Sequence, residues 1–118
     1  MEYLVFTYGT LMKGRSRSHV LDDSKYVGEG LLEDYGLLEI GSFPGAVFKE
    51  GSKVYGELYL VSEEKKRELD YIEGEGYLYK FRTVSVLCNG EYVKAGFYEF
   101  LQDNGSYPLY TKEGKWHD

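Results

Sequence analysis

Cysteine is nearly missing from this chain. Cys88 is the only one, so no internal disulfide can staple the fold, in keeping with a reducing compartment. One thiol and two distant histidines, His19 and His117, fall short of a zinc ligand set, and no metal or other cofactor is expected. No apolar run approaches the ~20 residues that cross a bilayer. Glu2 stands where a secretory leader carries positive charge, and the apolar run behind it is too short for one. The expectation is a soluble cytoplasmic protein with no membrane partner. Positive charge is also scarce: 14 Lys and Arg against 20 Asp and Glu give a net charge of -6, which argues against a nucleic-acid partner. Lys13, Arg15 and Arg17 are the one local basic cluster. Neither a P-loop nor a Gly-x-Gly-x-x-Gly opening a helix is present.

What the chain does have is aromatic residues and glycine. Thirteen Tyr, 6 Phe and 15 Gly in 118 residues favour strands broken by bulges and tight turns. That length supports one domain, residues 1–118, with a real core. No repeat or linker interrupts it.

Tyr3-Leu4-Val5-Phe6-Thr7 is a short, nearly continuous apolar run, the pattern of a strand buried on both faces. It stops at Tyr8-Gly9-Thr10-Leu11. Glycine there lets the backbone approach a ligand closely, and such a turn can hold an anion or a carbonyl oxygen. Residues 12–24 read as a loop with a short helical turn. Tyr26–Leu32 and Gly36–Ile40 read as glycine-interrupted strands, with turns at Ser42–Ala46 and Glu50–Ser52. Val54–Val61 alternates two largely apolar faces, as a central or barrel strand does.

Ser62-Glu63-Glu64 starts a helix, with a hydroxyl cap and two acids at the positive end of the dipole; Gly74 stops it. Tyr79–Cys88 and Tyr92 to about Leu101 form a hairpin around Asn89-Gly90. The polar remainder, Gln102–Asp118, carries Tyr107, Leu109, Tyr110 and Trp116, which suit packing onto the domain.

Glu73 sits four residues after Leu69, on the helix's apolar stripe and in its last turn. Desolvation and the negative end of the dipole both oppose its ionisation and would move its pKa towards neutrality, which suits a general base. A solvated glutamate at a frayed helix end fits the same residues. A nucleophilic Cys88 lacks an activating neighbour in sequence, and Glu73 with Glu75 flank a glycine in a turn-like run rather than forming a glycosidase pair.

Five motifs in order resemble the gamma-glutamylcyclotransferase-like family: Tyr8-Gly9-Thr10-Leu11 with Met12-Lys13-Gly14; Phe43-Pro44-Gly45; Val54 with Gly56-Glu57-Leu58-Tyr59; Leu69-Asp70-Tyr71-Ile72-Glu73-Gly74; and Ala95 with Tyr98. They span residues 4 to about 100. One departure is that Tyr79 and Arg82 lie three apart, where the family commonly has Tyr-x-Arg. The resemblance implies an α+β domain, a barrel-like mixed or antiparallel sheet with one or two short helices. It also implies a metal-free cyclisation of a small gamma-glutamyl substrate to 5-oxoproline, releasing an amine or amino acid. Glu73 would be the general acid/base. Tyr8, Gly9, Thr10 and Leu11 would bind substrate, and Tyr79, Arg82 and Tyr98 would line the pocket; Lys13 and Arg15 fit solvated surface charges first, with added positive potential near the substrate carboxylate as the second role. The rival is a binding module of the same fold without turnover, its walls drawn from Tyr55, Tyr59, Tyr77, Tyr79 and Tyr98. Neither the leaving amine nor the oligomeric state is written in any of these motifs.

Overall fold

The structure, a computed structural model, describes residues 1–110 and 114–117. In chain order they form β1 (Glu2–Thr7), a 3-10 turn (Ser18–Leu21), β2 (Lys25–Ile40), β3 (Phe43–Ser62), α1 (Glu63–Glu73), β4 (Tyr79–Cys88) and β5 (Glu91–Phe100). The strands follow the order β1-β3-β2-β4-β5 and curl into an approximate barrel. Its ladders are antiparallel, from Glu2↔Ser62 to Thr7↔Glu57 between β1 and β3, and from Tyr79↔Phe100 to Cys88↔Glu91 between β4 and β5. Parallel contacts at Val5↔Gly96 and Ala46↔Glu99 close it, so the sheet is mixed.

The β4–β5 hairpin turns where its sequence requires. Asn89 and Gly90 have φ of 52° and 81°, the two left-handed residues of a type I′ turn. The β2–β3 hairpin departs from expectation. Its turn is Gly41-Ser42, and Phe43-Pro44-Gly45-Ala46 lies inside β3, with Pro44 opposite Glu39. Gly41, at φ 65°, takes up the reversal that Pro-Gly was expected to make. The two strands expected between Tyr26 and Ile40 are one, with register shifts between Tyr26 and Gly28 and between Glu33 and Tyr35. The turn expected at Glu50–Ser52 is the other side of that second irregularity. There Asp34 Oδ1 accepts from Gly51 N–H at 2.9 Å, so a bulge replaces a turn.

Helix α1 has the boundaries its sequence sets. Ser62 Oγ accepts from Lys65 N–H at 3.0 Å. At the other end Gly74 is left-handed, and the N–H groups of Gly74 and Glu75 return to the carbonyls of Tyr71 and Asp70. This closure fixes the direction of the last turn, which carries Glu73.

Phe6, Leu58, Val86 and Phe97 fill the barrel interior. A second cluster, with Val5, Leu69, Tyr79, Tyr98 and Phe100, lies between the sheet and α1. The tail packs back as expected: Tyr110 N–H bonds Leu37 O at 2.8 Å, and Trp116 is buried. Residues 111–113 and 118 of that stretch lie outside the described residues.

Candidate functional site

Where β1 ends, the chain leaves the sheet and turns beneath the last turn of α1. A cavity of about 790 Å³ opens there, lined by Thr10, Arg15, Arg17, Phe43, Glu73 and Tyr79 among others. Its inner end narrows to a recess bounded by Tyr8, Gly9, Thr10 and Leu11, with Pro44 and Tyr98 behind. The two segments singled out in the sequence therefore meet at one place.

Among the described residues, Glu73 is the only acidic one of either lining. Its side chain is 12% exposed. Burial pushes its pKa up to about 7, against a smaller opposing pull from the Arg17 guanidinium. The carboxylate lines the cavity instead of standing out in solvent at a frayed helix end. Arg17 Nη2 stands 4.0 Å from Glu73 Oε1, while its Nε donates to Thr10 Oγ1 at 2.9 Å. Among the described residues, none accepts a hydrogen bond from the backbone N–H of Gly9, Thr10 or Leu11. All three residues bound the recess that Glu73 also lines, and Gly9 packs there against Pro44, whose ring leaves little room for a side chain on the glycine.

Tyr8 plays a different part. Its hydroxyl donates to Tyr98 O at 2.6 Å and accepts from Ala46 N–H at 3.1 Å, so it ties β1 to β5 and β3. Burial holds its pKa well above the ordinary phenol range. Tyr79 lines the cavity with its ring while its hydroxyl donates to Pro44 O at 2.6 Å. Burial, then the nearby Glu73, raises its pKa. Tyr98 borders the recess, and its hydroxyl reaches α1 by donating to Asp70 Oδ1 at 2.7 Å.

Arg82 is not brought to the site. It lies on the outer side of β4, half-exposed, with Nε 2.6 Å from Glu99 Oε1. Lys13 is also outside the cavity lining, its Nζ 3.6 Å from the centre of the Tyr26 ring. Arg15 lines the mouth and donates from Nε to Trp116 O at 2.9 Å. Glu75 turns away to Lys80 and to the N–H of Phe81. Cys88 is buried, and His19 and His117 are exposed. Of the tyrosines offered as walls, Tyr55, Tyr59 and Tyr77 lie outside the cavity and recess.

Arg17 is the functional candidate that sequence reasoning left in a basic cluster. It sits in an irregular loop where no periodicity assigns a direction. The signal available was its distance in sequence from Tyr8-Gly9-Thr10-Leu11, short enough for the loop to fold back on it.

Comparison with known proteins found relatives by sequence and by fold. A family model described as "Gamma-glutamyl cyclotransferase, AIG2-like" matches residues 5–118. The Escherichia coli K12 "Gamma-glutamylcyclotransferase family protein YtfP" is 32% identical over 114 residues, 97% of this chain and 96% of that one. A Vibrio cholerae protein that carries the gamma-glutamylcyclotransferase name provisionally is 38% identical over 86 residues, 71% of this chain and 73% of its own. The crystal structure of an AIG2-like protein from Mus musculus superposes with a TM-score of 0.85 at 23% identity, covering 98% of this chain and 88% of that one, a likeness of fold.

Proposed function

The chain belongs to the gamma-glutamyl cyclotransferase, AIG2-like family, and from that premise we propose that it cyclises a gamma-glutamyl compound to 5-oxoproline with Glu73 as general acid/base. The observation that carries this reading is one buried carboxylate, with a pKa raised to about 7, beside a recess bounded by three residues whose backbone N–H groups have no acceptor among the described residues.

The nucleophile comes from the substrate. Ionised Glu73 takes a proton from the substrate α-ammonium, and the freed amine attacks the γ-carbonyl carbon. A new C–N bond closes a five-membered ring, and the carbonyl oxygen becomes an oxyanion beside the amides of Gly9, Thr10 and Leu11. Protonated Glu73 then gives its proton to the leaving nitrogen as the old C–N bond breaks. The ring nitrogen sheds its surplus proton, which the departing amine carries away as its ammonium.

A pKa near 7 suits both halves of this exchange at neutral pH. Holding amine and carbonyl in attack geometry can contribute ~7–11 kcal/mol, and oriented amides in a recess act where water would otherwise have to reorganise.

The test is release of 5-oxoproline from a panel of gamma-glutamyl amino acids, gamma-glutamylamines and glutathione. Wild type is expected to turn over at least one of them, and Glu73→Gln to lose about 10²–10⁴-fold. Wild-type binding without product, retained in Glu73→Gln, would instead make the cavity that of a binding module.

A further inference from the structure

The donors around the recess are of two kinds, neutral amides on Gly9 to Leu11 and the Arg17 guanidinium, and the substrate has two oxygen groups to receive them. We propose that Arg17 binds the substrate's α-carboxylate and so makes it a required feature, leaving the amides for the γ-oxygen. The assignment rests on the cyclotransferase reading and follows from the distance between Arg17 and Glu73.

The carbon that bears the reacting amine also bears the α-carboxylate, so the carboxylate oxygens lie about 3 Å from that nitrogen. With the nitrogen hydrogen-bonded to Glu73 at about 2.9 Å, the carboxylate falls within about 5 Å of the Glu73 oxygen. Arg17 Nη2 occupies that shell, 4.0 Å from Glu73 Oε1.

Its direction is fixed as well. Nε is tied to Thr10 Oγ1 at 2.9 Å, which pins the plane of the guanidinium against the turn and leaves the Nη edge towards the cavity. Arg17 lines both the wide cavity and the inner recess, whereas Arg15 lines only the former and is drawn to the carbonyl of Trp116. Among the described residues, these two arginines are the only charged groups of the cavity apart from Glu73, in a chain whose net charge is -6. A planar fork of N–H donors matches a carboxylate's two oxygens, and an ionised pair of this kind is stronger than a bond between neutral groups. Placing that pair on the carbon that bears the reacting amine ties substrate recognition to the attack geometry.

The experiment compares two substrates that share the best leaving group found in the panel. One is the gamma-glutamyl compound, the other its analogue with a carboxamide in place of the α-carboxylate. Release of the leaving amino acid or amine is followed, because the cyclic products differ. Wild type is expected to favour the carboxylate by about 10- to 100-fold in kcat/KM. Arg17→Gln should lose most of its rate on the carboxylate substrate and discriminate by less than about threefold, with Arg17→Lys in between. Circular dichroism and melting confirm that both variants are folded. Full discrimination retained in both variants would make Arg17 no more than a counter-ion to Glu73 and overturn the assignment. A wild type inactive on the whole panel would overturn the cyclotransferase reading itself, and the assignment with it.

Discussion

Glu73 and Arg17, from the last turn of α1 and the loop after β1, meet with Oε1 and Nη2 4.0 Å apart at the edge of one recess. At that separation they attract without forming a close bidentate pair, so the carboxylate is not locked in its ionised form. Burial, the larger influence, carries its pKa to about 7. A base must release its proton as readily as it takes it, and this balance permits both.

That balance is measurable in the pH profile. The acid limb of kcat/KM is expected to bend at about pH 7, since activity needs Glu73 ionised in the free enzyme. Arg17 pulls this pKa down, so Arg17→Gln should move the bend to higher pH. A bend near the ordinary carboxylate value in wild type would mean that Glu73 is solvated in solution or is not the base.

The same shift has a cost in stability. Glu73 binds its proton more tightly in the folded chain, about 7 against 4.5, so between those values the folded state holds more protons than the unfolded. Stability therefore falls as pH rises through this window, by up to about 3 kcal/mol above it. Glu73→Gln has nothing to ionise. Urea denaturation should find it more stable than wild type at pH 8, with the difference shrinking towards zero near pH 4. An equal difference at both pH values would show that the burial penalty is absent.

Much of this was legible beforehand. Ser62, the Leu69 stripe and Gly74 set α1 by local rules, and Asn89-Gly90 set its hairpin, because caps and left-handed turns depend on few residues. The meeting of Glu73 with Tyr8–Leu11 came from matched motifs. The Pro44-Gly45 segment misled because turn chemistry is local while strand pairing is not. Pro44 lacks an N–H but sits opposite Glu39 near the hairpin end, and its carbonyl receives the Tyr79 hydroxyl at 2.6 Å. Arg82 misled for a similar reason: it lies within three residues of Tyr79, yet its side chain runs along the outer sheet face to Glu99.

Gly56 is a strand glycine pressed against backbone as well as side chain. It lies on β3 opposite Gly30, and a methyl group there would run into the backbone carbonyl of Thr7 and the ring of Phe6. A backbone oxygen cannot swing aside as a side chain can. Gly56→Ala is expected to cost about 1–3 kcal/mol, and to lower activity by displacing the turn at Tyr8. A variant with unchanged stability and turnover would mean that β1 and β3 separate easily at this point.

Tyr98 joins both halves of the site, and its two contacts predict an order of effects. Its hydroxyl binds Asp70 on α1, while its backbone carbonyl receives the Tyr8 hydroxyl from the other segment. Asp70 keeps Lys66 Nζ at 2.7 Å when the Tyr98 hydroxyl is removed, and it is a third exposed, so water can replace the lost donor. Tyr98→Phe should cost about 1 kcal/mol. Its effect on the reaction should fall on kcat more than on KM, because α1 is less firmly held and Glu73 with it. Tyr8→Phe removes a hydroxyl that serves two buried backbone groups, Tyr98 C=O and Ala46 N–H, neither with water at hand. Each group left unpaired costs about 1–3 kcal/mol, so this variant should be the less stable of the two. Urea midpoints for the pair decide the matter. A Tyr8→Phe protein as stable as Tyr98→Phe would mean that the buried hydroxyl bears no structural load, and that Tyr8 is available to the substrate instead.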